Sequence, residues 1–303
     1  MTAEQLRSAY QVAVVEVPDV IDLDALDHNY ADYSAVRKDL TLKSGATNDT
    51  LITGVGNDTL LAGGGHDIVK GGAGNDALYG EAGADRLYGE AGNDTLYGGA
   101  GNDRLFGNQG DDIFHSDAGD DQINGGWGRD TLSYADEAKA VTVDMTAGVA
   151  VAESGTDSFT SIEHIIGADH NDKVFASDAE ASVSGGAGDD VLIGGGGKDT
   201  LTGGEGADTF VIEANPKQSS FDVITDFDLA VDKVRIDLEG EADFANRRDF
   251  FDNTKFSSFT SDYDNDGVVE TTLLYQAANG GYDMVLAFED LDGVLTLNNF
   301  EFV

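Results

Sequence analysis

Cysteine is absent from the 303 residues, so disulfides and thiolate metal sites play no part in this chain. That absence is compatible with export. Basic residues are scarce: 17 Lys and Arg stand against 58 Asp and Glu, for a formal charge of -41. Such a polyanion repels nucleic acid and anionic membrane surfaces, and its self-repulsion opposes a compact state until counter-ions bind, so its natural partners are cations. No apolar run approaches the roughly 18 residues of a transmembrane helix. The first residues, MTAEQLRSAYQVAVVEVPDV, do not read as a secretory leader, because Glu16 and Pro18 break the apolar stretch and no small-residue cleavage site follows. Hydrophobic content is 40%, much of it alanine, which argues against one large conventional core.

What is present is a repeat. Between residues 44 and 133 a nine-residue unit is written ten times without insertion or deletion: SGATNDTLI, TGVGNDTLL, AGGGHDIVK, GGAGNDALY, GEAGADRLY, GEAGNDTLY, GGAGNDRLF, GNQGDDIFH, SDAGDDQIN and GGWGRDTLS. The sixth position is always aspartate: Asp49, Asp58, Asp67, Asp76, Asp85, Asp94, Asp103, Asp112, Asp121 and Asp130. The eighth is always apolar, from Leu51 and Leu60 to Ile123 and Leu132. A fixed short period of this kind marks a solenoid. The forty glycines fall in register too, so they enforce a backbone geometry and do not signal disorder.

Within a unit, the glycines at positions one, two and four serve a crowded loop, and residues seven to nine have strand composition that sends the eighth side chain inward. Two units therefore make one 18-residue coil. A second run, GADHNDKVF, ASDAEASVS, GGAGDDVLI, GGGGKDTLT and GGEGADTFV, occupies residues 167–211. Its aspartate column reads Asp172, Asp190, Asp199 and Asp208, broken only by Ala181.

These units follow GGxGxDxUx and resemble the RTX family of secreted bacterial proteins. The resemblance implies an all-β, right-handed parallel β-roll with calcium between successive turns, each ion held by a position-six carboxylate and by loop carbonyls of repeats n and n+2. Calcium takes about six to eight hard oxygen ligands, which mobile carbonyl-rich loops with one carboxylate each can supply. On that basis the implied metal-site residues are Asp58, Asp67, Asp76, Asp85, Asp94, Asp103, Asp112, Asp121, Asp130, Asp172, Asp190, Asp199 and Asp208. The implied loop glycines in the first run are Gly54, Gly56, Gly63, Gly65, Gly71, Gly74, Gly80, Gly83, Gly89, Gly92, Gly98, Gly101, Gly107 and Gly110. In the second run they are Gly185, Gly188, Gly194, Gly197, Gly203 and Gly206. Ions on the order of ten are expected in total.

Departures from the consensus carry their own expectations. Thr47 replaces the fourth-position glycine of the first unit, which should weaken or abolish calcium there. Glu81, Glu90, Asn108 and Asp117 replace second-position glycines and add rim charge or polarity. Tyr79 and Tyr97, two units apart, should stack on one sheet with Tyr88 on the other; packing is the first explanation and sugar binding the second. Trp127 is expected to plug a loop. His66 and His115 stand in variable columns and do not suggest transition-metal ligation.

The organisation read from the chain is an N-terminal cap or stub (1–43), the first roll (44–133), a β-hairpin insertion (134–166), the second roll (167–211) and a C-terminal cap (212–303). The N-terminal part reads as a short helical turn over AEQLRSAY and a strand over QVAVVEV. In the insertion, VTVDM and VAVAE alternate like hairpin strands. The tail segment FDVITDFDLAVDKVRIDL resembles the region after the roll in serralysin-type and other type I secreted proteins, matching at Asp226, Phe227 and Asp232, with Ala230 where glycine is common. Asp262, Asp264 and Asp266 begin an EF-hand-like DxDxDG, but Leu273 stands at the twelfth position and no helices flank it, leaving a calcium site or an acidic hairpin loop. The terminal EFV is similar to the end of signals recognised by type I exporters.

No HExxH, GxSxG or P-loop occurs, so the expectation is a chain without catalytic activity of its own. The function expected is a secreted calcium-binding protein, disordered without calcium and folded by it after type I export, serving as a surface, adhesive or binding module through a surface glycan or self-association. The alternatives are a non-catalytic secretion and folding tail of an exoenzyme (protease, lipase or alginate epimerase) and a membrane-active, toxin-like accessory protein.

Overall fold

In the computed structural model, which describes residues 19–23, 30–177, 179–213, 220–237, 256–261, 270–276, 282–288 and 299–302, the chain winds into a parallel β-roll. Every described element is a strand or turn apart from a single 3-10 residue at Asn299. Short strands such as Thr59–Leu61, Ala77–Tyr79 and Thr95–Tyr97 pair parallel in one sheet, while Ile68–Ala73, Arg86–Ala91 and Arg104–Gln109 pair in the other. Consecutive units alternate between two sheets of 14 described strands each. Register partners lie 18 residues apart, as with Leu60 and Leu78 or Leu87 and Leu105. The nonapeptide arithmetic thus becomes one coil per two units.

The sheets close on the eighth column. Leu51, Leu60, Val69, Leu78, Leu87, Leu96, Leu105, Phe114 and Leu132 are fully buried, and Val174, Val183, Leu192, Leu201 and Phe210 continue the same core. Each such side chain contributes on the order of 1.5–3 kcal/mol by leaving water. The fourth-position glycines make the tight spacing of the coils achievable: Gly74 takes φ +130, and a Cβ there would strike the carbonyl oxygen of Gly56 one coil away.

The ladder outruns the repeat at both ends. Val20–Asp22 pairs with Thr41–Lys43, and Tyr30–Asp32 with Thr50–Ile52, so strands of irregular sequence lead into the first unit. Downstream, Ser220–Ile224 continues one sheet and Lys233–Asp237 the other. The tail strands Glu270–Gln276 and Tyr282–Phe288 pair antiparallel, and Phe300–Phe302 adds to the end of the second sheet. The segments AEQLRSAY and QVAVVEV and the triplet Asp262, Asp264 and Asp266 lie outside the described residues.

Within residues 134–166, Thr142–Asp144 and Val149–Val151 pair antiparallel, and Thr156–Thr160 follows antiparallel to the latter. The hairpin is not appended to the roll but inserted in its second sheet, with Gln122–Trp127 on one side and Lys173–Phe175 on the other. Trp127 differs from its expected role as a plug: it ends the strand Gln122–Trp127 with 74% of its surface exposed.

Candidate metal centre

The position-six aspartates lie at the turns between the sheets, and all are buried. Burial follows from their neighbours, because each carboxylate folds back over its own loop and is roofed by the next coil. One oxygen is committed to structure: Oδ1 of Asp94 accepts the backbone N–H of Asp76 at 2.7 Å, Oδ1 of Asp103 that of Asp85 at 2.7 Å, and Oδ1 of Asp112 that of Asp94 at 2.8 Å. Thus the column stitches coil to coil, a role sequence spacing alone did not reveal. The other oxygen is left without a donor: Oδ2 of Asp58, Asp67, Asp76, Asp85, Asp94, Asp103, Asp112, Asp130, Asp190, Asp199 and Asp208 is buried and accepts no hydrogen bond.

A buried carboxylate oxygen without a partner costs several kcal/mol if ionised, so each of these needs a proton or a cation. Burial, the dominant cause, pushes Asp76, Asp85 and Asp94 up to about 7, and Asp67, Asp112 and Asp130 to about 6. In the second run it raises Asp190 and Asp208 to about 6, while Asp199, which also faces Asp222, rises to about 8.

Beside these oxygens, except at Asp58 and Asp67 where Thr53 and Ala62 take the place, the space is kept open by the first-position glycine. A Cβ on Gly71, Gly89, Gly98 or Gly203 would strike Oδ2 of Asp76, Asp94, Asp103 or Asp208 respectively. On Gly80, Gly107 and Gly185 it would stand between such an oxygen and the carbonyl of Gly98, Gly125 or Gly203 in the next coil. An oxygen-only donor set of one carboxylate and carbonyls from successive coils fits a hard cation such as calcium. Among the described residues no cluster of three His, Asp or Glu side chains forms, so these centres rest on carbonyls as much as on acid groups.

The first two units bring a hydroxyl to the first position in place of glycine. Ser44 donates its hydroxyl to Oδ2 of Asp49 at 2.5 Å, and Thr53 donates to the Gly71 carbonyl at 2.5 Å. Thr47 also donates to Asp49, which gives the first unit an internal partner at each carboxylate oxygen. Asp172 is held likewise, with Oδ1 accepting the N–H of Val141 and Oδ2 that of Ala168. At Ala181 the coil persists, its N–H donating to Asp199, but no carboxylate is contributed.

Several acids outside the repeat take up column positions. Asp157 accepts the N–H of Asp121, Glu163 that of Asp130, Asp222 that of Asp199 and Asp232 that of Asp208. Separations of 33, 23 and 24 residues put Glu163, Asp222 and Asp232 out of phase with the repeat, whereas Asp157, 36 residues on, keeps the phase but follows the inserted hairpin. A further ladder runs through position five, where Asn57 accepts from Asn75, Asn75 from Asn93 and His66 from Ala84. His66 is therefore a ladder member, and the recurrence of Asn in that column was its only sequence signal.

The outer face carries the expected aromatic ladders. Tyr79 and Tyr97 stack at 4.7 Å, extended by His115 at 4.1 Å, and Tyr88 stacks on Phe106 in the other sheet. Glu81, Glu90 and Asn108 all adopt positive φ in the second-position slot, and Glu90 approaches Lys70 at 3.9 Å.

Compared with known families, the chain matches the RTX calcium-binding nonapeptide repeat (4 copies) over residues 43–78, 62–96, 70–105, 97–132 and 182–210. Among solved structures it is similar to the AlgE6R3 subunit of the Azotobacter vinelandii mannuronan C5-epimerase, determined in solution, at 27% identity over 44% of this chain and 78% of that one, with a TM-score of 0.29. The extracellular lipase LipA from Serratia marcescens is 20% identical over 72% of this chain and 40% of the lipase, with a TM-score of 0.22. No curated protein matches.

Proposed function

For a chain that carries RTX calcium-binding nonapeptide repeats, we propose that calcium is the ligand that makes the roll stable and that folding is thereby tied to compartment. The observation carrying this reading is the file of buried Oδ2 atoms that accept no hydrogen bond, from Asp76 onward beside gaps held open by glycine. Asp67, Asp76, Asp85, Asp94, Asp103 and Asp112 would supply the carboxylates, with carbonyls of the first-position glycines one coil on. Bound calcium supplies positive charge at oxygens that otherwise require protons. Without it, a glycine-rich chain of charge -41 gains too little from one apolar residue per unit to offset its entropy and repulsion.

In this reading the chain leaves the cell unfolded through a type I exporter and folds where calcium is abundant, ion binding supplying the folding free energy. It then acts as a non-catalytic surface or binding module. The alternative, a folding and secretion tail of an exoenzyme, uses the same calcium chemistry and differs only in what is attached.

The test is far-UV circular dichroism of metal-free protein titrated with calcium, with magnesium as control. A cooperative gain of β signal with calcium alone is expected. A full β spectrum in chelator would refute the switch.

A further inference from the structure

On the outer face of the second sheet, the ninth-column side chains form a row along the roll: Lys70, Tyr88, Phe106, Asn124 and then Thr160 occupy successive register positions. Lys70 lies over the Tyr88 ring at 5.2 Å, and Tyr88 stacks on Phe106 with centroids 5.0 Å apart and planes within 7°. The stack stops there. Asn124 is too small to continue it, so the far side of Phe106 opens on a break in the row.

Two clefts occupy that break, and both are lined by Phe106 and Asn124. One, of about 390 Å³, reaches Gln122, Ser158, Thr160 and the hairpin turn at Ala147–Val149. The other, of about 260 Å³, reaches Asn108, Gln109 and Trp127. No charged residue lines either cleft, although the molecule carries a net charge of -41. Asn108 stands at φ +77, in a row whose register partner is Gly126 at φ +111, so a polar side chain is held at the rim despite a backbone that favours glycine.

We propose that this pair of clefts binds a neutral oligosaccharide, laid along the sheet from Trp127 to the hairpin turn. A sugar ring presents a C–H face that packs on an aromatic surface and hydroxyls that both donate and accept. Phe106 and Trp127 offer the first kind of contact, and Asn108, Gln109, Gln122, Asn124, Ser158 and Thr160 the second. An acidic polysaccharide would meet the repulsion of the whole chain without a cation in the cleft to offset it. The inserted hairpin supplies one wall, so this site exists only where the repeat is interrupted. The proposal rests on reading the folded roll as a binding module and names the ligand class of that module.

Trp127 is the sole tryptophan, which makes its emission a local reporter. The full chain in calcium is titrated with cellohexaose, mannohexaose, laminarihexaose and N-acetylchitohexaose, with polygalacturonate as the anionic control, and circular dichroism is recorded alongside. At least one neutral oligosaccharide is expected to shift the emission saturably. Phe106→Ala should weaken that binding roughly tenfold or more. Asn124→Phe should extend the stack into the break and abolish binding while leaving the calcium-dependent spectrum intact. A response to none of the four neutral sugars, a response to polygalacturonate alone, or one unaltered by both substitutions would overturn the site. A β spectrum already complete in chelator would instead refute the calcium switch and leave this test standing.

Discussion

The regular coils and the inserted junction solve one problem in opposite ways. Between Gly71 and Asp112 the carboxylates keep one oxygen buried without a donor, beside a gap that glycine preserves. At the junction, Asp157 occupies an equivalent place, but its Oδ2 accepts from the Tyr134 hydroxyl at 3.1 Å and from Ser116 at 3.3 Å. Tyr134 is itself fully buried, filling the core where the coil is lengthened. The first architecture requires an ion or a proton from outside, whereas the second is closed by the chain's own hydroxyls. The junction therefore closes its own acidic position where the repeat is interrupted, and the regular coils do not.

The largest effect that would break this contrast is removal of calcium at different pH. Burial pushes Asp76, Asp85 and Asp94 up to about 7 in the folded chain, above the ordinary carboxylate range, so the metal-free fold binds more protons than the unfolded chain. Its stability should fall as pH rises from about 4 to about 7. In chelator, lowering the pH from about 8 to about 5 should bring a partial gain of β signal in far-UV circular dichroism, whereas in calcium acid should weaken binding because protons compete for the same oxygens. Identical spectra at the two pH values in chelator would mean that these oxygens are not buried as described. Hydrogen exchange at sub-saturating calcium should release amides around Asp76–Asp103 before those around Tyr134 and Asp157.

Next in size is Gly89→Ala. The new methyl would meet Asp94 Oδ2 and Cγ, so calorimetric titration should find about one ion fewer, with a stability loss of about 1–3 kcal/mol from overpacking. The matched change Asp157→Asn should leave the ion count unaltered, and a lower count would erase the distinction between the two regions.

Tyr134→Phe removes the buried hydroxyl and leaves Oδ2 of Asp157 with Ser116 alone. The expected cost is about 1–2 kcal/mol, read from denaturant unfolding in calcium, with the same calcium stoichiometry. The smallest expected effect is at Tyr97→Ala, which cuts the ladder between Tyr79 and His115 and should cost about 0.5–1.5 kcal/mol without changing calcium response.

Much of this was legible in the chain because the repeat is strict. A period of nine with one apolar and one acidic column specifies a two-sheet roll, since a slip of one residue would expose the apolar row to water. The Tyr79–Tyr97 stack followed from the same 18-residue arithmetic. Other members escaped because the units around them are interrupted. Glu163, Asp222 and Asp232 reach the acidic column at irregular spacings, Asp157 keeps the phase but follows the inserted hairpin with no consensus unit around it, and Trp127 looked like a plug because nothing local marked the open cleft beside it.

By itself, the sequence determined the roll, its coil length, the inward row and the file of aspartates, because each depends on contacts repeated at a constant offset. Only the tertiary structure decided which carboxylate oxygens are left unpaired. That depends on whether a glycine, a serine or a distant tyrosine stands across the gap, and such neighbours are set by how the coils stack and not by their order in the chain.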